Sequence, residues 1–296
     1  MSVTVPPSFR AMPRWWHDDA GRAWLDDLPA LVGTRCAAWR LVVDGEPWHG
    51  SNALVVPVRR GDEPLALRLA PPGDDVSAEV RALRLWDGRG TVQLVDADPG
   101  DRVTLLERLD GARTLTGEPL DVALPVLGGL MRTLAVPAPD DVPSTSEVAA
   151  GLVDTIEDRW RAVGQPTPRR QLDHVLACAA ERAAAVPGSE AVNGDLHFGQ
   201  VLAGVRAPWL VVDPVLLRGD REHDLGRVLW SRLDELPDDE AVRRAFRTVV
   251  DAAEVPVERA ATWVVVRAAA YLVWGLERGL TIDPPRCQRL LDVFCP

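Results

Sequence analysis

Lysine is absent from this sequence: all 33 basic residues are arginine. That excludes Schiff-base chemistry and any phosphate-binding loop built around a lysine. Cysteine is scarce. Cys36, Cys178, Cys287 and Cys295 are the four, and no two are spaced as a zinc knuckle or a dithiol redox motif requires. A reducing cytoplasm is the expected setting. Long apolar runs are missing too. The longest, TWVVVRAAAYLVWG from Thr262, is interrupted by Arg267 and is too short to span a bilayer, so no membrane partner is expected. The opening MSVTVPPSFRAMPRWW has no basic end followed by an apolar core, so it does not read as a signal peptide. Positive charge is in deficit, 33 basic against 44 acidic residues for a net −11. This disfavours non-specific nucleic-acid binding, which draws its affinity from cations on phosphates. It is compatible with a cationic small-molecule partner. What remains is ordinary globular composition, 47% hydrophobic and 26% charged, in 296 residues. That length suits one large domain or two modest ones.

The pattern changes along the chain. Residues 18–32 carry Trp24, Leu28, Leu31 and Val32 at helical spacing. Three β-rich runs follow: WRLVVDG (39–45), ALVVPVRR (53–60) and LALRLA (65–70), the last two joined by a turn at Gly61 and Asp62. A helix is expected over 74–87, with Val76, Val80, Leu83 and Trp86 on one face, and then two strands, TVQLVDAD and VTLLERLD. From about Leu120 the spacing is helical, near 121–136, 146–163, 169–186, 222–235, 238–253, 257–279 and 285–294. One stretch interrupts it, NGDLHFGQVLAGVRAPWLVVDP (193–214), read as a loop and a hairpin with strands at 200–203 and 209–212. The expected class is α+β. A small antiparallel-sheet lobe (1–109) precedes a larger helical lobe (110–296) that contains the hairpin, with the hinge near LDGAR.

The hairpin carries the chemistry. Gln200 starts its first strand and Asp213 follows its second, and those ends of an antiparallel pair are neighbours about 5 Å apart. Asp195 lies five residues before Gln200, within reach of the same edge. Two carboxylates and an amide oxygen suit Mg²⁺, which completes its shell with phosphates and water. A kinase-type catalytic loop has this spacing: an acidic base, an amide five residues on, and a metal-binding Asp after the next hairpin.

On these residues, and on GRAWLDDLPALV, ALVVPV, EVRALRLWDGRG, LLERLDGARTL, the DLH loop and APWLVVDP, the chain resembles the aminoglycoside phosphotransferases of the protein-kinase-like superfamily. Within them it looks most like the streptomycin 6-phosphotransferase and hydroxyurea phosphotransferase branch, over nearly its whole length. The resemblance implies a bilobal fold, ATP bound between the lobes, Mg²⁺, and transfer of the γ-phosphoryl group to a hydroxyl of a small polar acceptor. It implies Asp195 as the acidic residue of the catalytic loop, accepting the hydroxyl proton, and Gln200 and Asp213 as metal ligands. Arg68 falls where the family has a phosphate-pairing lysine, with Glu79 to orient it. Loop 44–52 would cover the nucleotide. Glu107 and Leu109 would lie at the adenine edge and act through the backbone.

Three positions depart from the family pattern: Arg68 for lysine, Gln200 for asparagine, and Asn193 where histidine is common. Arginine and lysine are not interchangeable at a compact phosphate site. The alternative is therefore a pseudokinase, binding nucleotide without transfer, for which Arg68→Lys would raise activity. A further alternative is a metal hydrolase using Asp195, His197 and Asp213, although His197 also reads as a structural member of its loop. Asp224 either meets the catalytic-loop backbone or caps a helix. Asp220, Glu222, Asp224, Asp234, Glu235, Asp238, Asp239 and Glu240 either line an acceptor pocket or are helix-start and solvated charges. Tryptophan is core by default, with Trp230 and Trp274 open to a substrate role.

Overall fold

The computed structural model describes residues 3–12, 15, 18–50, 52–186 and 188–296. The chain forms two compact units, Met1–Arg113 with Leu202–Val212, and Thr114–Val201 with Asp213–Pro296. A single cut after Leu109 would leave the hairpin wholly in the helical part. The structure instead gives most of it to the first unit.

In the first unit, α1 (Pro7–Arg10) and α2 (Asp19–Trp39) precede β1 (Val42–Val43), β2 (Trp48–His49), β3 (Leu54–Arg60) and β4 (Glu63–Leu69). Then come α3 (Val76–Trp86), β5 (Leu94–Asp98), β6 (Val103–Glu107) and β7 (Asp110–Thr114). The main sheet is antiparallel in the order β1-β3-β4-β6-β5, with β2 also on β3. Gly61, at φ +62°, makes the β3–β4 turn. Leu54, Val56, Val58, Leu65, Leu67 and Leu69 bury against Trp24, Leu28 and Val32 of α2. Helix α2 runs past the expected end at Val32 and absorbs Trp39, so the expected strand over 39–45 shrinks to Val42 and Val43. Cys36 and Trp39 pack partly buried against the same core, and the helix stops where Arg40 turns left-handed at φ 56°. Helix α3 forms where its pattern places it. Asp75 accepts from the Ala78 N–H, and Val76, Val80, Leu83 and Trp86 are buried.

The second unit holds α4 (Leu120–Leu134), α5 (Thr145–Ala162), α6 (Arg169–Ala184) and β8 (Ala191–Asn193), whereas the hairpin strands β9 (Val201–Ala203, of which only Val201 is in this unit) and β10 (Trp209–Val211) count with the first. It continues with β11 (Leu216–Arg218), α7 (Leu225–Ser231), α8 (Asp239–Ala253), α9 (Val257–Glu277) and α10 (Asp283–Phe294). Helix α9 is apolar on most of its circumference and is the buried axis of the unit. The expected helix over 222–235 is three pieces, a 3₁₀ turn at Arg221–Asp224, α7, and a second 3₁₀ turn at Leu233–Glu235. Strands β8 and β11, which sequence periodicity does not reveal, pair antiparallel with Leu216 opposite Asn193.

Helices α4 and α8 meet at Gly128. A Cβ there would lie 2.6 Å from the Ala252 Cβ and 2.7 Å from the Val249 carbonyl oxygen. Backbone atoms cannot yield as a flexible side-chain tip does. Gly128→Val is expected to lower unfolding free energy by about 2–3 kcal/mol in urea titrations, since overpacking outweighs the few tenths gained in helix propensity.

Candidate active site

The paired strands β8 and β11 and a 3₁₀ turn build the site of the second unit. Strand β8 ends at Asn193, and the loop Gly194–His197 leads into the turn Phe198–Gln200. Asn193 is buried, and its Oδ1 accepts from the Asp195 N–H at 3.4 Å and the Val215 N–H at 3.0 Å. An amide therefore supports the loop from behind, where the family commonly has an imidazole. Asp224 reaches the same loop. Its carboxylate accepts from the Leu196 backbone N–H, and burial drives its pKa well above the ordinary aspartate value. It contacts the loop and makes no side-chain cap to α7.

Asp195, Gln200 and Asp213 converge. Gln200 Nε2 donates to Asp195 Oδ2 at 3.2 Å and to the Asp213 carbonyl oxygen at 3.2 Å. Asp213 sits at φ +49°, a left-handed conformation that aspartate tolerates better than most residues. Gln200 Oε1 is buried with no hydrogen-bond partner among the described residues. An orphaned carboxamide oxygen near two acids fits a hard cation, whose ligands are oxygens. The extra methylene of glutamine is accommodated by turning the amide nitrogen inward and leaving the oxygen free.

Charge around Asp195 is balanced. Burial pushes its carboxyl up from the ordinary aspartate value, Arg227 and Arg267 pull it down, and Asp213 adds to the upward push. Arg267 is half-buried and donates to the Gly194 carbonyl at 3.2 Å. Neither arginine was singled out from the sequence as functional. The one available signal was Arg267 standing inside an apolar helix, where an unpaired cation is costly.

His197 Nε2 lies 4.0 Å from Asp195 Oδ2. Its Nδ1 accepts from the Gly199 N–H at 3.1 Å, capping the turn. No cluster of three His, Cys, Asp or Glu able to hold a metal occurs among the described residues, which removes support from the hydrolase alternative. Burial, with Arg227 nearby, pushes His197 from 6.5 down to about 3. The unfolded chain then binds the extra proton between those values. The stabilisation is complete above pH 6.5 and is lost as pH falls toward 3. His197→Gln is expected to flatten the decline of unfolding free energy between pH 7 and 5, by up to about 1.4 kcal/mol per pH unit, in urea titrations at each pH.

In the first unit Arg68, only 7% exposed, sits on β4, and its Nη1 lies 2.8 Å from Glu79 Oε2 in the first turn of α3. Glu107 ends β6. Its N–H donates to the Gln93 carbonyl, and its Oε2 accepts from the Gln93 N–H at 3.0 Å and from Arg206 Nη2 at 2.9 Å. Arg206 also donates to the carbonyls of Gly88 and Thr91, tying the hairpin tip to this unit. Leu109 is buried with Leu83, Val92, Leu106, Leu202 and Leu210. Loop 44–52 contains Ser51, which lies outside the described residues.

Most of the acidic cluster serves structure. Asp220 accepts from Trp263 Nε1, Glu222 pairs with Arg259, Glu235 with Arg232 and Asp234 with Arg286, while Asp238 caps α8 through the Ala241 N–H. Trp230 is fully buried, whereas Trp274 is partly exposed.

A β-rich unit and a helical unit, with an acid, an amide five residues later and a second acid beyond the hairpin, define a protein-kinase-like phosphotransferase. Residues 38–279 match the family model described as aminoglycoside/hydroxyurea antibiotic resistance kinase. A streptomycin 6-kinase of Streptomyces glaucescens is 36% identical over 95% of this chain and 94% of its own length. A hydroxyurea phosphotransferase of Kitasatospora aureofaciens is 37% identical over 99% of this chain and 86% of its own. A ternary complex of aminoglycoside phosphotransferase APH(4)-Ia with ADP and hygromycin B shares the fold, with a TM-score of 0.61 at 14% identity, covering 89% of this chain and 98% of that one. The chain belongs to the aminoglycoside/hydroxyurea antibiotic resistance kinase family. It is an enzyme of the phosphotransferase class that acts on a hydroxyl of a small molecule.

Proposed function

We propose that this protein transfers the γ-phosphoryl group of ATP to a hydroxyl of a cationic, streptomycin-type aminocyclitol. The observation that carries the reading is the convergence of Asp195, Gln200 and Asp213, with Gln200 Oε1 buried and unpartnered. Asp213 and Gln200 would hold Mg²⁺, which neutralises charge developing on the phosphates when bound. Asp195 orients the acceptor hydroxyl and takes its proton. The acceptor oxygen bonds to the γ-phosphorus, the bond to the β–γ bridging oxygen breaks, and ADP leaves with that electron pair. Arg68, steadied by Glu79, would pair with the α- and β-phosphates, and the backbone near Glu107 and Leu109 would meet the adenine. Positioning and charge stabilisation supply the rate.

Among the described residues no helix is long and apolar enough to cross a membrane, and the four cysteines are free. Both accord with work in the cytoplasm. The test is ADP release from ATP and Mg²⁺ with streptomycin, with hydroxyurea, and with no added acceptor, the product being identified by mass spectrometry. Streptomycin-dependent ADP release and a phosphate monoester are expected. Nucleotide binding without transfer to either acceptor would overturn the reading in favour of the pseudokinase.

A further inference from the structure

Arg227 is a cation in contact with Asp195 that no sequence motif announces. Its Nε lies 3.2 Å from Asp195 Oδ1 as an ion pair, without the alignment of a hydrogen bond, while Gln200 donates to Oδ2. Three helices restrain its guanidinium. On α7 and α9, the rings of Trp230 and Tyr271 lie 5.6 Å and 5.4 Å from its centre. At the start of α10, Asp283 Oδ2 lies 3.8 Å from Nη1 and also accepts from the Tyr271 hydroxyl at 3.2 Å. Trp230 is fully buried and packs on Tyr271 at 4.7 Å between ring centroids. An arginine held over aromatic rings and tied to a second carboxylate is pre-organised as an ordinary exposed ion pair is not.

The other charged or titratable neighbours of Asp195 act differently. Arg267 spends a donor on the Gly194 carbonyl, Asp213 and Asp224 repel the carboxylate, and neutral His197 caps its own turn. Arg227 faces one carboxylate oxygen as an ion pair and Gln200 hydrogen-bonds the other, so both oxygens of Asp195 have a neighbouring partner.

We propose that Arg227 is a positioning residue for phosphoryl transfer, clamping the plane of the Asp195 carboxylate through the Trp230–Tyr271–Asp283 cradle so that a lone pair faces the acceptor hydroxyl. The inference rests on the phosphotransferase reading of Asp195. The reaction is unchanged: the hydroxyl proton passes to Asp195 as the new O–P bond forms and ADP departs. Arg227 neither gains nor loses a proton.

The test measures steady-state kinetics with ATP, Mg²⁺ and streptomycin for wild type, Arg227→Ala and Arg227→Lys, and melting temperature for each. Arg227→Ala is expected to lower kcat by about 10–10²-fold, the scale of a misplaced reacting group, with KM for ATP changed less than about twofold. Added guanidinium chloride at low millimolar concentration should restore part of that kcat by refilling the space beside Trp230 and Tyr271. Arg227→Lys, which keeps charge and stem but loses the planar fork, should fold like wild type and lose about tenfold in kcat. Wild-type kcat in both variants would overturn the role of Arg227 while leaving the phosphotransferase reading intact. A loss in Arg227→Ala that guanidinium does not rescue, with Arg227→Lys at full rate, would also overturn it. Absence of transfer in the wild type would defeat the phosphotransferase reading itself.

Discussion

Asp195→Asn is expected to lower kcat by about 10²–10⁴-fold, the range that general-base catalysis contributes, and to leave nucleotide affinity within about twofold. The substitution is close to isosteric. An asparagine oxygen can still accept from Gln200 Nε2, which now lies 3.2 Å from Asp195 Oδ2. The loop should therefore stand, because its other supports are independent of the carboxylate: Asn193 Oδ1 beneath the backbone and Asp224 on the Leu196 N–H. What disappears is the capacity to take a proton. Isothermal titration with a non-hydrolysable ATP analogue, set beside the rate of ADP release, separates the two effects. Turnover at the wild-type rate would remove Asp195 from the chemistry.

Glu79→Ala is expected to destabilise the protein by about 3–5 kcal/mol, the scale for stripping one partner from a buried ion pair. Arg68 and Glu79 side chains are 8% and 11% exposed and meet at 2.8 Å. Without the carboxylate, a buried guanidinium on a central strand loses the partner it meets at 2.8 Å. The contrast is Arg10–Asp26, where the side chains are 42% and 75% exposed and Asp26→Ala should cost no more than about 1 kcal/mol. Urea unfolding of both variants gives the comparison. For an active kinase the same geometry leads to a different expectation from that of the pseudokinase alternative. Arg68→Lys would replace a fork seated against Glu79 by a single ammonium on a different stem. It is expected to weaken nucleotide binding, not to raise activity.

The site was legible where its logic is local. Asp195 to Gln200 is five residues, and Asp213 follows one hairpin later, so spacing alone places all three at one edge. The first unit's sheet was legible through β3, β4 and α3, whose alternation and helical period are clean. Strands β8 and β11 were not, because three buried or half-buried residues apiece leave no period to read. The end of α2 was misplaced because Val42 and Val43 lent β character to a segment whose preceding residues, GTRCAAW, continue a helix against the core. Arg227 was invisible for a different reason. Its partners Asp195, Tyr271 and Asp283 are separated from it by tens of residues, and only the packing of α7, α9 and α10 brings them together.

The passage of Leu202–Val212 into the first unit has a consequence for how the protein can be divided. Its backbone crosses the boundary three times, after Arg113, Val201 and Val212. A gene fragment stopping at Arg113 would encode β7 without its sheet partners β9 and β10, Glu107 without Arg206, and Leu109 without Leu202 and Leu210. Neither half is a continuous segment that one cut would release intact.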